Sequence, residues 1–248
     1  MPKLNRAEKN LPAMSKLIFI FIGVVISYNS FSQKKAASIP VSFEVFYKGN
    51  DNVMNRTLVN DFSEIYSITK LKFYVSNIKF ETSEATKNTS SVHLIDASKP
   101  NNISVLAPPQ KITGISFLLG IDSALNCSGA QSGALDPLND MFWTWNNGYI
   151  FFKMEGSSDA SSADLKRIEH HIGGFKGVNK TMRTVYLPIS NPALLDKKIL
   201  VVQLDIDKYW NGVNKFKIAE LPVVAIPGAQ ARNAADNFAG MFFIKDNK

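Results

Sequence analysis

The sequence predicts an all-β fold: a β-sandwich of short, mostly antiparallel strands with long loops and at most short helices. Two observations point there. Apolar and polar residues alternate over short stretches, as half-buried strands require. Turn-forming clusters such as Gly49-Asn50-Asp51-Asn52 and Lys99-Pro100-Asn101-Asn102 separate those stretches. Helical periodicity is confined to brief segments, which argues against an α/β architecture.

The first thirty-two residues are set apart from the fold. Lys3, Arg6, Lys9 and Lys16 precede an apolar run from Leu17 to Ile26, and Ser30-Phe31-Ser32 places small residues before Gln33. A basic start, a short apolar core and small residues make a secretory signal peptide, so cleavage is expected before Gln33. The run is shorter than the roughly 20 residues of a membrane-spanning helix, and no stable membrane insertion is expected after cleavage. Residues 33–248 then form one β-sandwich domain. Four basic residues and one acidic residue leave with the signal, so the net charge falls from +7 to +4. That mild, dispersed excess lacks the dense basic patch of a nucleic-acid binder. The single cysteine, Cys127, excludes an internal disulfide, so an exported chain must be held by its core. In Asn126-Cys127-Ser128-Gly129 it reads as a half-buried loop residue.

The elements follow in order. Ile39 to Tyr47 alternates as a strand. Tyr66 to Phe80 is a long strand with a bulge or bend at Ser76-Asn77. Ser83 to Ser91 is a polar loop, and Val92 to Asp96 is a short strand. Ile103 to Leu106 is strand-like until Pro108-Pro109 breaks it. Ile112 to Gly120 reads as a buried strand. Ile121 to Asp140 is long, irregular and rich in Ser, Gly, Asn and Asp, and loops of that length in a compact domain are often functional. Met141 to Trp145 and Tyr149 to Met154 read as an aromatic hairpin about the Asn146-Asn147-Gly148 turn. With a period of two, Met141, Trp143 and Trp145 share a face and Phe142 and Thr144 the other. Leu165 to Ile172 leads into Gly173-Gly174. Arg183 to Ile189 and Lys198 to Ile206 are further strands. Asp207 to Gly212 reads as a short helix carrying Trp210, and Ala229 to Met241 as another. Phe242 to Ile244 closes the chain.

Chemistry-bearing residues are few. The histidines are His93, His170 and His171, each at the edge of an apolar segment. Histidines on an apolar strand are usually satisfied core residues, but imidazoles presented at one rim of a sandwich suit copper, zinc, iron or nickel. His170 and His171 are adjacent and should face opposite ways, with His170 the solvent-facing one. Asp96, three residues past His93, either orients that imidazole or caps a turn. No nucleophile elbow, phosphate-binding loop or paired acid and base stands out, so no enzymatic activity is expected.

Several segments together resemble the MbnP-like copper-binding family, a family of methanobactin-associated periplasmic proteins. They are Lys72-Phe73-Tyr74-Val75-Ser76-Asn77-Ile78, Val92-His93-Leu94-Ile95-Asp96, Leu118-Leu119-Gly120-Ile121-Asp122-Ser123, Ser128 to Pro137, Met141 to Tyr149, His171-Ile172-Gly173-Gly174 and Ala235 to Phe242. They occur in the family's order between about Ile39 and Ile244. The resemblance implies an exported β-sandwich protein, periplasmic or at the cell surface, that scavenges, stores or delivers copper. It implies His93 and His171 as ligands, and Trp143 or Trp145 as a residue oxidised to kynurenine by a di-haem peroxidase of the MauG-like type; His170 departs from the family pattern and is read as a spare or replacement ligand. Imidazoles with an aromatic amine would favour Cu(I). The alternative is a metal-free envelope binding module for a peptide, glycan or protein, using the Ile121–Asp140 loop and the aromatic hairpin.

Overall fold

The computed structural model describes residues 37–51, 53–84, 90–144 and 148–245. The expected signal peptide, the 146–147 turn and Trp145 lie outside the described residues. The strands in chain order are β1 (Ser38–Phe46), β2 (Leu58–Val59), β3 (Ile65–Thr82), β4 (Val92–Asp96), β5 (Ile103–Leu106) and β6 (Ile112–Leu119). They continue as β7 (Phe142–Thr144), β8 (Gly148–Ser157), β9 (Arg167–Gly173), β10 (Arg183–Pro188), β11 (Leu200–Asp205), β12 (Val223–Val224) and β13 (Phe242–Ile244). Two α-helices accompany them, α1 (Ser123–Cys127) and α2 (Ala229–Ala239). The all-β sandwich expected from alternation is therefore the fold.

A small sheet has the order β13-β11-β1-β5, and a large one runs β10-β6-β3-β8-β9-β12, with β2 and β4 paired to β3 and β7 to β8. Most pairings are antiparallel; β1 with β11 and β9 with β12 are parallel. The inner faces meet in one apolar cluster. Val41, Phe43 and Val45 of β1 and Leu200, Val202 and Leu204 of β11 pack there with Leu71, Phe73, Val75, Phe117 and Phe152 of the large sheet. Phe43 bridges the layers edge-on, 6.3 Å from Phe73 and 5.3 Å from Phe117 between ring centroids. Helix α2 joins through Phe238, whose ring is 4.3 Å from that of Phe152. Burying each such side chain stabilises the fold by about 1.5–3 kcal/mol.

β3 is the strand around which the large sheet is built. It pairs with β8 through residues 67–73, with β6 through 75–82 and with β4 through 72–76. The expected bend is present: Asn77 has φ 53°, and the β6 register shifts between Ser76 and Lys79. Asn tolerates that left-handed conformation better than most residues.

A second, smaller apolar cluster covers part of the outer face of the large sheet. Tyr74, Ile121, Leu135, Met141, Tyr149, Ile150, Phe151 and Phe175 form it, with Leu125, Phe142 and Trp143 at its margin. The stretch from Ile121 to Asp140 is more ordered than its composition indicates. Asp122 caps α1 by accepting from Leu125 N, and two 3-10 turns follow at Gly133–Leu135 and Pro137–Asn139. Tyr149 Oη donates to carbonyls of this excursion, 2.8 Å from Leu135 O and 3.0 Å from Gly129 O. Cys127, expected to be half-buried, is exposed, because α1 ends there on its solvent side.

Candidate functional site

Pairing across the large sheet decides which candidates can meet. Residues directly opposed on neighbouring strands share a face, and successive residues alternate. His171 opposes Lys153, Lys153 opposes Lys72, and Lys72 opposes Asp96. This row lies on the outer face. His93 opposes Val75, a main-core residue three positions from Lys72, so it points to the other face. His93 and His171 therefore have opposite parity in the sheet. Sequence order did not reveal this, because the parity of two distant strands is fixed only by their register.

His170 points inward and is 0% exposed. Its Nε2 is 2.9 Å from Leu221 O and its Nδ1 is 2.7 Å from Tyr209 Oη. A carbonyl only accepts, so Nε2–H donates to Leu221 and Nδ1 accepts from the Tyr209 hydroxyl. Burial pushes its pKa down to about 4, despite the favourable Leu221 carbonyl. Rings of Tyr209, Trp210 and Phe216 surround it. The expectation of a solvent-facing His170 is thus corrected. Alternation did place it opposite in direction to His171, but toward the core, and with both nitrogens engaged it has no lone pair to offer a metal. Trp210 belongs to the same buried cluster, just after a 3-10 turn at Ile206–Tyr209.

His93 is half-buried on β4, and its imidazole makes no hydrogen bond among the described residues. Burial lowers its pKa. It borders a shallow cavity of about 430 Å³ with Lys72, Asn101 and Asn139. A larger cavity, about 760 Å³, lies over β1 and the 97–102 turn and contains none of the histidines. Asp96 faces away from His93; it caps its turn by accepting from Ser98 N and Oγ.

His171 stands on the outer face, and its ring is set between two carboxylates. Nε2–H donates to Glu155 Oε1 at 2.9 Å, and Nδ1 lies 3.6 Å from Glu169 Oε1. Burial lowers its pKa, outweighing the opposing effect of Glu155, so the imidazole is neutral at pH 7. Glu155 and Glu169 oppose each other directly across β8 and β9. Such like charges repel, and each has its own cation: Lys70 Nζ is 3.0 Å from Glu155 Oε2, and Arg167 Nε is 3.3 Å from Glu169 Oε2.

The neighbouring row repeats this with cations. Lys72 and Lys153 oppose each other, and Lys153 is 3% exposed. The 3-10 turn at Pro137–Asn139 supplies their acceptors. Lys72 Nζ donates to Asn139 O at 3.1 Å, and Lys153 Nζ is 2.9 Å from Asp140 Oδ1. Asp140 Oδ2 takes Lys70 at 2.9 Å. Burial alone would raise the Asp140 pKa, but Lys70 and Lys153 hold it down at about 2. A closed ring of ion pairs, Glu155–Lys70–Asp140–Lys153, thereby anchors the chain just before Met141-Phe142-Trp143.

Trp143 completes the arrangement. Its six-membered ring lies against the Gly173 backbone; a Cβ there would sit 2.8 Å from Cζ3 of the indole and 2.6 Å from Tyr149 O. Gly173 is two residues beyond His171 on the same strand face, a step of roughly 7 Å. The small residue after His171 is therefore required by the close approach of the tryptophan. Glu155, Glu169 and Lys153 were not singled out from sequence. A signal existed: Lys153 and Glu155, then Glu169 and His171, occupy every second position of otherwise apolar strands, which marks a polar outer face.

The family model for MbnP matches residues 36–226. The chain belongs to the MbnP family. The solved structure of MbnP from Methylosinus trichosporium superposes with a TM-score of 0.61, covering 86% of this chain and 100% of that one at 15% identity. That likeness is one of fold. No curated protein matches the sequence. Among the described residues, no group of three or more His, Cys, Asp or Glu side chains is arranged around one ion. The donor chemistry at His171 nevertheless fits a metal: a neutral imidazole whose Nε2–H is directed at a carboxylate is the usual posture of a histidine ligand. The indole N–H of Trp143 only donates and is no ligand as it stands. Among the described residues, no helix is long and apolar enough to cross a membrane.

Proposed function

We propose that this MbnP-family chain is an exported, non-enzymatic copper-handling protein whose site is centred on His171 on the outer face of the large sheet. The observation that carries the reading is the setting of His171: neutral, oriented by Glu155, and beside an indole that Gly173 admits. Family membership supports copper as the cargo. Trp143 is the described tryptophan at this site, and a kynurenine formed from it by a di-haem peroxidase would add an aromatic amine where the indole has no lone pair. In this reading His93, which opposes Val75 on β3 and so has the parity opposite to His171, is not a ligand of the site. The test is copper binding by the wild type, His171→Ala and His93→Ala, with intact mass measured on the same samples. Loss of binding in His171→Ala with retention in His93→Ala supports the assignment. No copper binding by the wild type, together with an unmodified mass, would sink it.

The opposite parity of His93 and His171 also favours a metal-free reading. Leu138, 92% exposed at the 3-10 turn beside Asp140, and the part-exposed Trp143 would then contact an envelope partner. Wild-type protein that binds no metal leaves this reading in place.

A further inference from the structure

Three of the most exposed aliphatic residues border one helix. Val178, Val213 and Ile226 are 79%, 82% and 74% exposed, and each stands on a segment packed beside α2. Arg232 of α2 donates from Nη1 to Val178 O at 2.9 Å, which holds the 177–179 turn against the helix. A Cβ on Gly174 would meet Asn179 O at 2.5 Å and Pro227 Cβ at 3.2 Å, so the turn carrying Val178 and the segment carrying Ile226 meet there. On the other flank, next to Val213, Asn214 Nδ2 donates to Asn233 O at 3.1 Å. Between these flanks the exposed positions of α2 are Ala229, Gln230 and Asn233. Cations accompany the aliphatic tips. Lys176, Lys180 and Lys215 are exposed, and with Arg232 they have no carboxylate partner among the described residues, whereas Arg183 is paired with Asp236 and Lys217 with Glu220.

We propose that this face, formed by α2 with its flanking 176–180, 213–215 and 226–227 segments, is a docking surface for anionic lipid headgroups. Unpaired positive charge is drawn to an anionic leaflet, and aliphatic side chains set among cations dip into the boundary between headgroups and acyl chains. A protein partner is held by a contiguous, desolvated apolar centre inside a polar rim. Here the centre is polar and the aliphatics stand apart at the margin, where a fluid surface accommodates them one by one. The contact is peripheral, since among the described residues no helix is long and apolar enough to cross a membrane. Copper has no part in it.

The experiment is co-sedimentation of the full mature chain with vesicles of phosphatidylcholine alone and of phosphatidylcholine with phosphatidylglycerol, at low and high salt. Lys176→Gln/Lys180→Gln is compared with Lys197→Gln/Lys198→Gln, which removes the same charge from exposed positions between β10 and β11. All four lysines are exposed, so both variants should fold, and circular dichroism checks this. The expected result is binding only to the vesicles containing phosphatidylglycerol, weakened by salt. Loss of Lys176 and Lys180 should weaken it about 25-fold, at about fivefold each, and the Lys197/Lys198 variant should change it by less than about twofold. Val178→Ser/Ile226→Ser should also bind more weakly, and wild-type binding by that variant overturns the part given to the aliphatic tips. Equal weakening in both lysine variants shows a general charge attraction and overturns the proposal, as does wild-type protein that binds neither vesicle. Binding to polyglutamate but to no vesicle assigns the face to an acidic protein and overturns the lipid assignment.

Discussion

At the residue scale, three positions carry most of the argument. Gly173 is a glycine because the Tyr149 carbonyl oxygen and the Trp143 indole together occupy the space of a side chain. Gly173→Ala should displace the indole and destabilise the fold by about 1–3 kcal/mol, read by denaturant unfolding together with a shift in tryptophan emission. Destabilisation with unshifted emission would assign the constraint to the Tyr149 carbonyl alone. His170 is buried and neutral, with its folded pKa near 4 against about 6.5 unfolded. Below pH 6.5 the unfolded chain binds the proton and the folded chain does not. Stability from this residue is therefore complete above pH 6.5 and falls as pH drops toward 4, by about 3 kcal/mol in all. His170→Gln should flatten that limb of a stability–pH curve, and an unchanged limb would assign it to other groups. Tyr209→Phe removes the hydroxyl that His170 Nδ1 accepts from, and should cost about 1–3 kcal/mol with copper binding intact. Cys127 is exposed, so a thiol reagent should modify it in the native state without loss of stability.

At the element scale, the 3-10 turn at Pro137–Asn139 docks because it and Asp140 bring closer acceptors to two opposed lysines on β3 and β8: Asn139 O at 3.1 Å from Lys72 and Asp140 Oδ1 at 2.9 Å from Lys153. Removing Asp140 leaves Lys153 buried with Glu155 at 3.7 Å as its nearest remaining carboxylate. Asp140→Asn should destabilise the protein by about 1–2 kcal/mol, less than a fully buried pair because Asp140 is partly solvated. Amide exchange should accelerate in residues 133–144 more than in β1 or β11; uniform acceleration would argue against a local anchor. The acid limb has a fixed sign. The folded pKa of Asp140 is about 2, below the ordinary value of 3.8, so its contribution is present above about pH 4 and lost as pH falls toward 2.

At the scale of the whole molecule, local pattern told most about the strands. The spans of β4, β5 and β13 follow directly from short apolar runs bounded by turns, and the bend in β3 follows from Ser76-Asn77. Segment identity also pointed to the MbnP family. Register was not legible, and register decides the site. Alternation says that His170 and His171 face opposite ways, but not which of them faces the core. It gives no relation between His93 and His171, whose strands are linked only through β3 and β8. Lys153 is a single cation within an aromatic strand. Its role appears once Lys72 is known to oppose it and Asp140 to reach over both. The site is thus assembled by pairings between distant strands: His171 and Trp143 stood out in their own segments, and Glu155, Glu169 and Lys153 did not.

The central claim is that His171, and not a His93–His171 pair, is where this protein holds metal. Anomalous diffraction at the copper edge from crystals of the copper-loaded chain tests it most directly. The account predicts a peak within bonding distance of His171 Nδ1 on the outer face of the large sheet, and none at His93. A peak at His93, or no protein-bound peak in loaded crystals, would contradict it.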